Sequence, residues 1–221
     1  MAQRSSSVQE RIIEAVRKSI YSGDLRPGEP LLEMHLARQH GVSQTTVREA
    51  LVKLEHTGLV RRIRNQGTFV TELSISELRE HLRLRIVLEC MAAVDAALRM
   101  DEADFEQLQV RFDRIVKAVT TKNTYYEIGR VDLEFHRFIW ECSGNKTIWR
   151  ILDQLATPML AYVSIRSSSG REEMSHVVRE HQPILDAMRS GVPEAIQEAI
   201  RLHFETSYRH AGVEAMPFAR G

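Results

Sequence analysis

A pair of closely spaced helices near the N-terminus most restricts how this 221-residue chain can fold. A short helix is predicted over about Glu33–His40, and Gly41 ends it. Ser43 is a candidate N-cap for a second helix over about Gln44–His56. An amphipathic helix, with apolar residues at spacings of three and four, is predicted earlier, from Val8 to Ser22. The tight turn between the two later helices is typical of a helix-turn-helix.

Two short β-like runs follow this helix pair. They read LVRRIR and GTFVTE, and Asn65-Gln66-Gly67 joins them as a hairpin. Three helices and a basic hairpin in this order predict a winged helix-turn-helix, whose second paired helix enters the DNA major groove by its N-terminal turn. The candidate contacts to bases and phosphates are therefore Gln44, Thr45, Thr46 and Arg48 on that turn, and Arg61, Arg62 and Arg64 on the hairpin. The alternative interpretation is a solvated helix face.

The rest of the chain shows helical periodicity without strand alternation. Six helices are predicted at about 76–99, 102–121, 124–142, 146–167, 171–190 and 193–211, which favours an antiparallel all-α bundle. We assign the winged domain to residues 1–72, the bundle to 73–214 and a disordered tail to 215–221. The overall fold class is mainly α. The predicted core of the bundle includes Ile86, Leu88, Met91, Val94, Leu98, Ile148, Ile151, Leu152 and Leu155, together with Phe135, Phe138, Trp140 and Trp149.

Charge and composition favour a DNA-binding module joined to another domain. The net charge is zero, but the first 71 residues hold eleven Lys and Arg against seven Asp and Glu, so the remainder is acidic. No apolar run approaches the ~18 residues of a membrane span, and the N-terminus lacks a secretory pattern. The two cysteines form neither a disulfide framework nor a zinc knuckle. We therefore expect a cytoplasmic protein without membrane contact.

One carboxylate and three imidazoles in the bundle are candidate metal ligands. Asp132 and His136 are four residues apart, so both side chains project from one helical face. His181 and His203 each lie inside another predicted helix among apolar neighbours. Together they suit a divalent metal such as zinc, nickel, manganese or iron. The alternative is a set of unrelated polar residues, and the remaining histidines (His35, His40, His56, His81, His176 and His210) are expected at the surface.

The N-terminal motifs resemble the DNA-binding domain of the GntR family of bacterial transcription regulators. The resemblance rests on VSQTTVREAL, then LEHTGLV, then the wing NQGTFV. It implies that Thr45, Thr46 and Arg48 contact the operator and that Gly67 lies at the wing tip. Many members carry Arg where this chain has Gln44, and some carry Arg near Met34. Gln44 favours adenine, because its amide can form a bidentate pair with that base.

The second region resembles the FCD ligand-binding domain of the FadR subfamily. The motifs are RIVLE from Arg85, DLEFHRFI from Asp132, SGN, EHQPILDAM from Glu180, and His203-Phe204. The resemblance implies that Asp132, His136, His181 and His203 bind the metal and that Arg85 approaches a carboxylate effector. A helix-surface ion pair with Glu89 is the alternative for Arg85. Six helices resemble the shorter, VanR-type branch, and the metal quartet disfavours a fatty acyl ligand.

These observations predict a transcription regulator, and we expect a repressor that a small organic acid controls. A homodimer would bind a near-palindromic double-stranded operator. The rival is a metal-dependent hydrolase or lyase acting on a small carboxylate, but it leaves the winged domain without a role, and no general base is evident. A third hypothesis keeps the metal purely structural. We expect no enzyme activity.

Overall fold

The computed structural model describes residues 2–121, 124–167, 175–210 and 212–213. The predicted tail at 215–221 and the predicted helical residues 171–174 lie outside these ranges. The described part is mainly helical with one small sheet, which confirms the predicted fold class. The elements are α1 Ala2–Tyr21, β1 Pro30–Leu31, α2 Glu33–His40, α3 Gln44–His56, β2 Val60–Ile63, β3 Gly67–Val70, α4 Ile75–Ala97, α5 Glu102–Thr120, α6 Tyr125–Cys142, α7 Lys146–Ser167, α8 Ser175–Ser190 and α9 Pro193–His210.

The helix pair of the winged domain has the predicted bounds because local signals fix both of its ends. Gly41 adopts a left-handed conformation with φ 64°, and its N–H turns back to α2 carbonyls. Ser43 caps α3 by accepting the Thr46 backbone N–H at 3.2 Å. The two-residue strand β1 was not predicted from the sequence. It pairs with β3 to give a three-stranded antiparallel sheet in the order β1-β3-β2.

Helices α4 to α9 form the bundle, and short polar signals set where they begin. Capping boxes start α4 at Ser74, α5 at Asp101 and α6 at Thr124, and Pro193 begins α9. Helix α4 packs against α6, α7 and α9, so it is the element that most of the bundle shares. The buried core includes Phe135, Trp140 and Phe204. No helix among the described residues is both long and apolar enough to span a bilayer.

Three residues predicted in the core are exposed instead. Met91 is 50% exposed, Leu98 74% and Trp149 36%. Met91 on α4 and Leu98, the C-cap of that helix, are exposed on one side that no described element of this chain covers. Packing within the described bundle therefore does not explain why these two positions are apolar. Ile86, Ile148, Leu152 and Leu155 are buried as predicted.

The winged domain packs directly on α7 of the bundle. The Tyr21 hydroxyl donates to the Thr157 carbonyl at 3.3 Å, and Ala161 is buried in the apolar core of the winged domain. Gly58, in the turn between α3 and β2, has φ +73°, and a Cβ there would lie 2.8 Å from the Gln154 carbonyl oxygen. Pro158 has no N–H to donate to that carbonyl within the helix. The contact therefore requires a glycine in the winged domain. On α7 it is made by the Gln154 carbonyl, which accepts no helical hydrogen bond from Pro158.

Candidate metal centre and DNA-binding surface

The first turn of α3 presents a row of polar side chains that we call the recognition turn. Gln44, Thr45 and Arg48 are exposed, and Thr46 is half-buried. The Thr46 hydroxyl lies 2.9 Å from the Ser43 hydroxyl, so the N-cap also fixes the Thr46 side chain. Short hydrogen-bonding groups and a guanidinium on an exposed helix N-terminus can reach both phosphates and base edges.

Arg48 is held by an ion pair that the sequence did not predict. Its Nε atom donates to both Glu33 carboxylate oxygens at 3.1 and 3.2 Å, and Nη2 donates to one of them at 2.7 Å. The hydrogen bonds from Arg48 lower the pKa of Glu33, although partial burial acts against them. Because Glu33 belongs to α2, the pair links the two helices and orients the guanidinium before any DNA is present.

The wing, which is the β2–β3 hairpin, carries exposed cations. Arg61, Arg62 and Arg64 are exposed, and Arg62 donates its backbone N–H to the Glu55 carboxylate at 3.3 Å. Gly67 is also exposed, with φ 115° at the start of β3. The fold thus brings the recognition turn and the wing cations into one domain as surface groups. Whether each of them contacts DNA stays a prediction.

Asp132, His136, His181 and His203 meet inside the bundle and form what we call the metal cluster. Helix α6 supplies Asp132 and His136, α8 supplies His181, and α9 supplies His203. One ligand atom from each residue can be chosen so that all four lie within 4.8 Å of one another. The three histidines are buried, and Asp132 is half-buried. Residues from three helices that are distant in the sequence therefore converge at one point.

The ligand atoms of the metal cluster lie close enough together to share one ion. Asp132 Oδ1 lies 2.9 Å from His181 Nε2, and His136 Nε2 lies 3.2 Å from His203 Nε2. Within the described residues, no hydrogen-bond partner is aligned with the buried His181 Nε2 atom. Three nitrogens and a carboxylate oxygen are a donor set that zinc and other first-row divalent metals accept. The residues therefore fit such an ion.

Electrostatics prepare the carboxylate and one imidazole for ligation. Burial raises the pKa of Asp132, but His181, His136 and Arg85 together outweigh this effect and lower that pKa to about 2. Burial lowers the pKa of His203 well below its ordinary value, and the neighbouring His181 and His136 lower it further. Burial would also lower the pKa of His181, yet Asp132, the Val177 carbonyl and Glu180 together outweigh burial and raise it. Asp132 is thus ionised and His203 neutral, as a metal requires.

Each imidazole of the cluster has an oxygen atom behind it, on the side away from its neighbours. His181 Nδ1 lies 2.7 Å from the Val177 carbonyl oxygen, which favours a proton on Nδ1 and leaves Nε2 free. His136 Nδ1 lies 3.5 Å from a Glu89 oxygen. His203 Nδ1 lies 4.0 Å from Glu180. Outer oxygens of this kind commonly orient histidines that bind metals.

A cavity of about 90 Å³ adjoins the metal cluster, and Asp132 and His203 form part of its wall. Its apolar lining includes Leu160 and Phe204. This volume suits a few water molecules or a small organic molecule. The remaining polar lining residues are Arg85, Tyr125, Ser164, His176, Ser207 and Tyr208.

Arg85 is buried in the wall of this cavity. It is 4% exposed, and its Nε donates to Glu89 at 3.1 Å. Its Nη1 donates to the Tyr208 hydroxyl at 3.2 Å, and its guanidinium lies 4.3 Å from the centre of the Phe204 ring. The ion pair with Glu89 therefore exists, but it is internal and not the helix-surface pair considered from the sequence.

The sequence did not identify several residues around the site. Glu89, Tyr208, Ser164 and Ser207 carry no local motif that predicts burial beside a distant histidine. His176 was expected at the surface, but it is half-buried and lines the cavity. The one signal in the sequence was the i, i+4 spacing of Arg85 and Glu89. This spacing predicts that the two side chains contact each other but not that the pair is buried.

Two family models match the chain and together cover most of it. The model described as "Bacterial regulatory proteins, gntR family" matches residues 8–70, and the model described as "FCD domain" matches residues 80–206. This chain is an FCD-domain member of the gntR family. Its winged half and its helical half therefore correspond to the two parts of a known type of regulator, as the motifs indicated.

Relatives of this gntR-family protein are also transcription regulators. The chain is 28% identical over 198 residues to the HTH-type transcriptional regulator YdhC of Bacillus subtilis, covering 88% of this chain and 87% of the relative. It is 25% identical over 202 residues to the HTH-type transcriptional repressor RspR of Escherichia coli, covering 90% and 86% respectively. The structure of E. coli McbR/YncC has the same fold, with a TM-score of 0.79 and 22% identity over 93% of this chain and 97% of that one. The family is one of regulators and not of enzymes, so the hydrolase or lyase hypothesis is wrong.

Proposed function

We propose that this gntR-family regulator is a repressor whose operator affinity is controlled by a small organic acid bound at a divalent metal ion. The observation that carries the proposal is the convergence of Asp132, His136, His181 and His203 beside a cavity that Arg85 also lines. A Lewis acid and a cation within reach of one small space can together hold a carboxylate ligand, and this site offers residues for both.

The metal cluster would hold the ion through one carboxylate oxygen and three imidazole nitrogens. Zinc is the first candidate, and nickel, manganese and iron also accept this donor set. When bound, the ion supplies a positive centre with coordination positions for a carboxylate. Arg85 adds a planar guanidinium on the cavity wall, and the apolar side chains of Leu160 and Phe204 limit the size of the acid. A small hydroxy acid or dicarboxylate fits this chemistry better than a long acyl chain.

Operator binding would use the recognition turn and the wing. Gln44, Thr45, Thr46 and Arg48 are the proposed contacts from α3, and Arg62, Arg64 and Gly67 those from the wing. Their exposure within one domain and the family match over residues 8–70 support this assignment. The repressor sign is proposed from RspR, a relative that is named a repressor. Acid binding would then release the operator.

Helix α7 would transmit acid binding to the winged domain, because it borders both. Ala156, Leu160 and Ser164 line the cavity, whereas Thr157 and Ala161 contact the winged domain. A shift of α7 that accommodates an acid would therefore also move its outer face. This arrangement supports coupling between the two sites through a single helix.

The proposed active form is a homodimer that joins through α4. Four exposed apolar residues of this helix and its C-cap follow one another at spacings of three, four and seven, which is the spacing of a helix-packing seam: Leu84, Val87, Met91 and the C-cap Leu98. A 23-residue helix spans roughly 35 Å and, with its flanking helices, can approach the ~800 Å² per partner of a stable interface. A second copy presents the same seam, as two-fold symmetry requires.

The dimer is tested by Met91→Glu, with Val110→Glu on the exposed face of α5 as the matched control. We expect Met91→Glu to be monomeric in analytical ultracentrifugation and Val110→Glu to stay dimeric. A monomer loses the gain from two linked DNA contacts, so operator affinity should fall by ~100-fold or more. A dimeric Met91→Glu protein would rule out α4 as the interface.

The metal and acid are tested together by gel shifts with operator DNA. Purified protein is analysed for bound metal and titrated with small mono-, di- and tricarboxylates, with and without chelator. The proposal expects an acid that releases DNA only from the metal-loaded protein. If chelation lowers the melting temperature while no acid affects DNA binding, the metal is structural. Protein that binds no zinc, nickel, manganese or iron would overturn the metal centre.

A further inference from the structure

Glu89 on α4 is a fully buried carboxylate that lies next to both Arg85 of the cavity wall and His136 of the metal cluster. It is 0% exposed. Its Oε1 accepts from Arg85 Nε at 3.1 Å, and its Oε2 accepts from Trp140 Nε1 at 2.7 Å. The same Oε2 lies 3.5 Å from His136 Nδ1. One carboxylate therefore stands between the cavity arginine and a residue of the metal cluster.

The two ring nitrogens of His136 face different surroundings. Its Nε2 lies in the cluster, 3.2 Å from His203 Nε2, whereas its Nδ1 lies 3.5 Å from Glu89 Oε2 and has no aligned hydrogen bond within the described residues. A neutral imidazole that binds a metal through Nε2 must carry its proton on Nδ1. A carboxylate behind Nδ1 favours that tautomer and also restrains the rotation of the ring.

His136 and His181 differ in which helix supplies the oxygen behind Nδ1. His181 uses the Val177 carbonyl of its own helix, so that contact forms whenever α8 forms. The oxygen behind His136 belongs to another helix, and the carboxylate that carries it is fixed by Arg85 and Trp140. The orientation of His136 therefore depends on the packing of α4 against α6.

We propose that Glu89 is a positioning residue of the metal centre. It holds His136 with Nδ1 protonated and Nε2 free for the ion, and it fixes Arg85 at the cavity wall through its other oxygen. This inference rests on the proposed function, because it requires that the cluster binds a metal. It adds that the metal ligand and the acid-binding arginine are aligned by one and the same side chain.

The test is a zinc titration of the full-length protein against a chromophoric chelator, without any organic acid. Glu89→Gln keeps the size of the side chain and an acceptor for Trp140 but removes the charge. We expect zinc affinity to fall by ~10- to 100-fold. Glu80→Gln, at an exposed position of the same helix, is the control and should match the wild type. Glu89→Asp keeps the charge and should recover part of the loss.

Each outcome separates the role of Glu89 from the existence of the metal centre. Wild-type binding with an unchanged Glu89→Gln affinity would overturn only the positioning role. A wild type that binds no zinc, nickel, manganese or iron would overturn both. If Glu89→Gln does not fold, the ring ¹⁵N spectrum of His136 in zinc-loaded wild type decides the question. Protonated Nδ1 with zinc on Nε2 is expected, and zinc on Nδ1 would contradict the proposal.

Discussion

The winged domain and the bundle keep their candidate functional groups in opposite environments. Gln44, Thr45 and Arg48 are exposed on α3, whereas His136 and His181 have no exposed surface at all. DNA is a large ligand that must meet a surface, so the recognition turn needs only local support from the Ser43 cap and Glu33. A small acid can be enclosed, and a buried site strengthens every charge–charge interaction inside it. The first site is therefore built from neighbours in sequence and the second from distant helices.

The difference has an energetic side as well. Exposed polar side chains lower the stability of the fold very little, so their replacement changes DNA affinity more than stability. Buried charges such as Arg85 and Glu89 must stay paired, because an isolated one is strongly destabilising. Substitutions in the buried site of the bundle should therefore affect metal or acid binding. Substitutions in the recognition turn should affect DNA binding.

The largest expected effect is the loss of metal on His136→Ala. Removing one of four ligands should abolish stoichiometric metal binding, while operator binding remains because the recognition turn is in another domain. Elemental analysis and gel shifts on the same preparation measure both. The control is His35→Ala, at an exposed position on α2. Equal metal content in the two variants would remove His136 from the metal cluster.

Next is the acid response of Arg85→Lys. Lysine keeps a positive charge beside Glu89 but lacks the planar fork that can hold a carboxylate by two hydrogen bonds. Acid binding should weaken by ~1.5–3 kcal/mol, with metal content unchanged. Isothermal titration with the acid found in the gel-shift screen gives the value. An unaltered acid affinity would show that Arg85 does not contact the carboxylate.

On the exposed side, Arg48→Ala should weaken operator binding by ~1–3 kcal/mol and leave metal binding intact. Fluorescence anisotropy with labelled operator measures the change. Glu33→Gln is a useful companion, because it removes the charge that orients Arg48 and should weaken the complex by less than Arg48→Ala does. If Arg48→Ala binds as tightly as the wild type, Arg48 serves only to tie α3 to α2.

A smaller effect is expected at the contact between the two regions. Gly58→Ala should lower the free energy of unfolding by ~1–2 kcal/mol, because an alanine must adopt the left-handed backbone of this position. The close approach of the new Cβ to the Gln154 oxygen should add a further loss. Gly23→Ala is the matched control, since Gly23 has φ +82° but a Cβ at that position would meet nothing within 4 Å. Denaturant melts of both variants isolate the contact. Equal losses would mean that the domain contact adds nothing.

The smallest change in total affinity is expected for Gln44→Arg. An arginine there should shift the preferred base from adenine toward guanine, while phosphate contacts and overall affinity stay similar. Binding to operators that are varied one base pair at a time reveals the preference. An identical preference before and after substitution would show that Gln44 does not contact a base.

Sequence reasoning was most accurate where structure is set locally. The bounds of α2 and α3 were predicted correctly because Gly41 and Ser43 act on the backbone within a few residues. Strand β1 was missed because two residues carry no periodicity and form a strand only by pairing with β3. The bundle was recognised, since six helical patterns and their caps are also local signals.

The candidate site was predictable only through its resemblance to a family. Spacing puts Asp132 and His136 on one helical face, but nothing local brings His181 and His203 to them. Glu89 was paired with Arg85 from the sequence, but its burial was not predicted, because an i, i+4 pair is usually a surface feature and this burial depends on α6 and α9. Met91 and Leu98 were assigned to the core because hydrophobicity does not tell an internal face from an unpartnered one.

The contact of α7 with the winged domain bears on how regulators of this type can be recombined. A chimera that joins a new winged domain to this bundle would set a foreign turn against Pro158 and the Gln154 carbonyl, where this chain has Gly58. A larger residue there would separate the halves even if each half folded well. A working hybrid must therefore exchange the outer face of α7 along with the winged domain, so the unit of exchange is larger than the DNA-binding module itself.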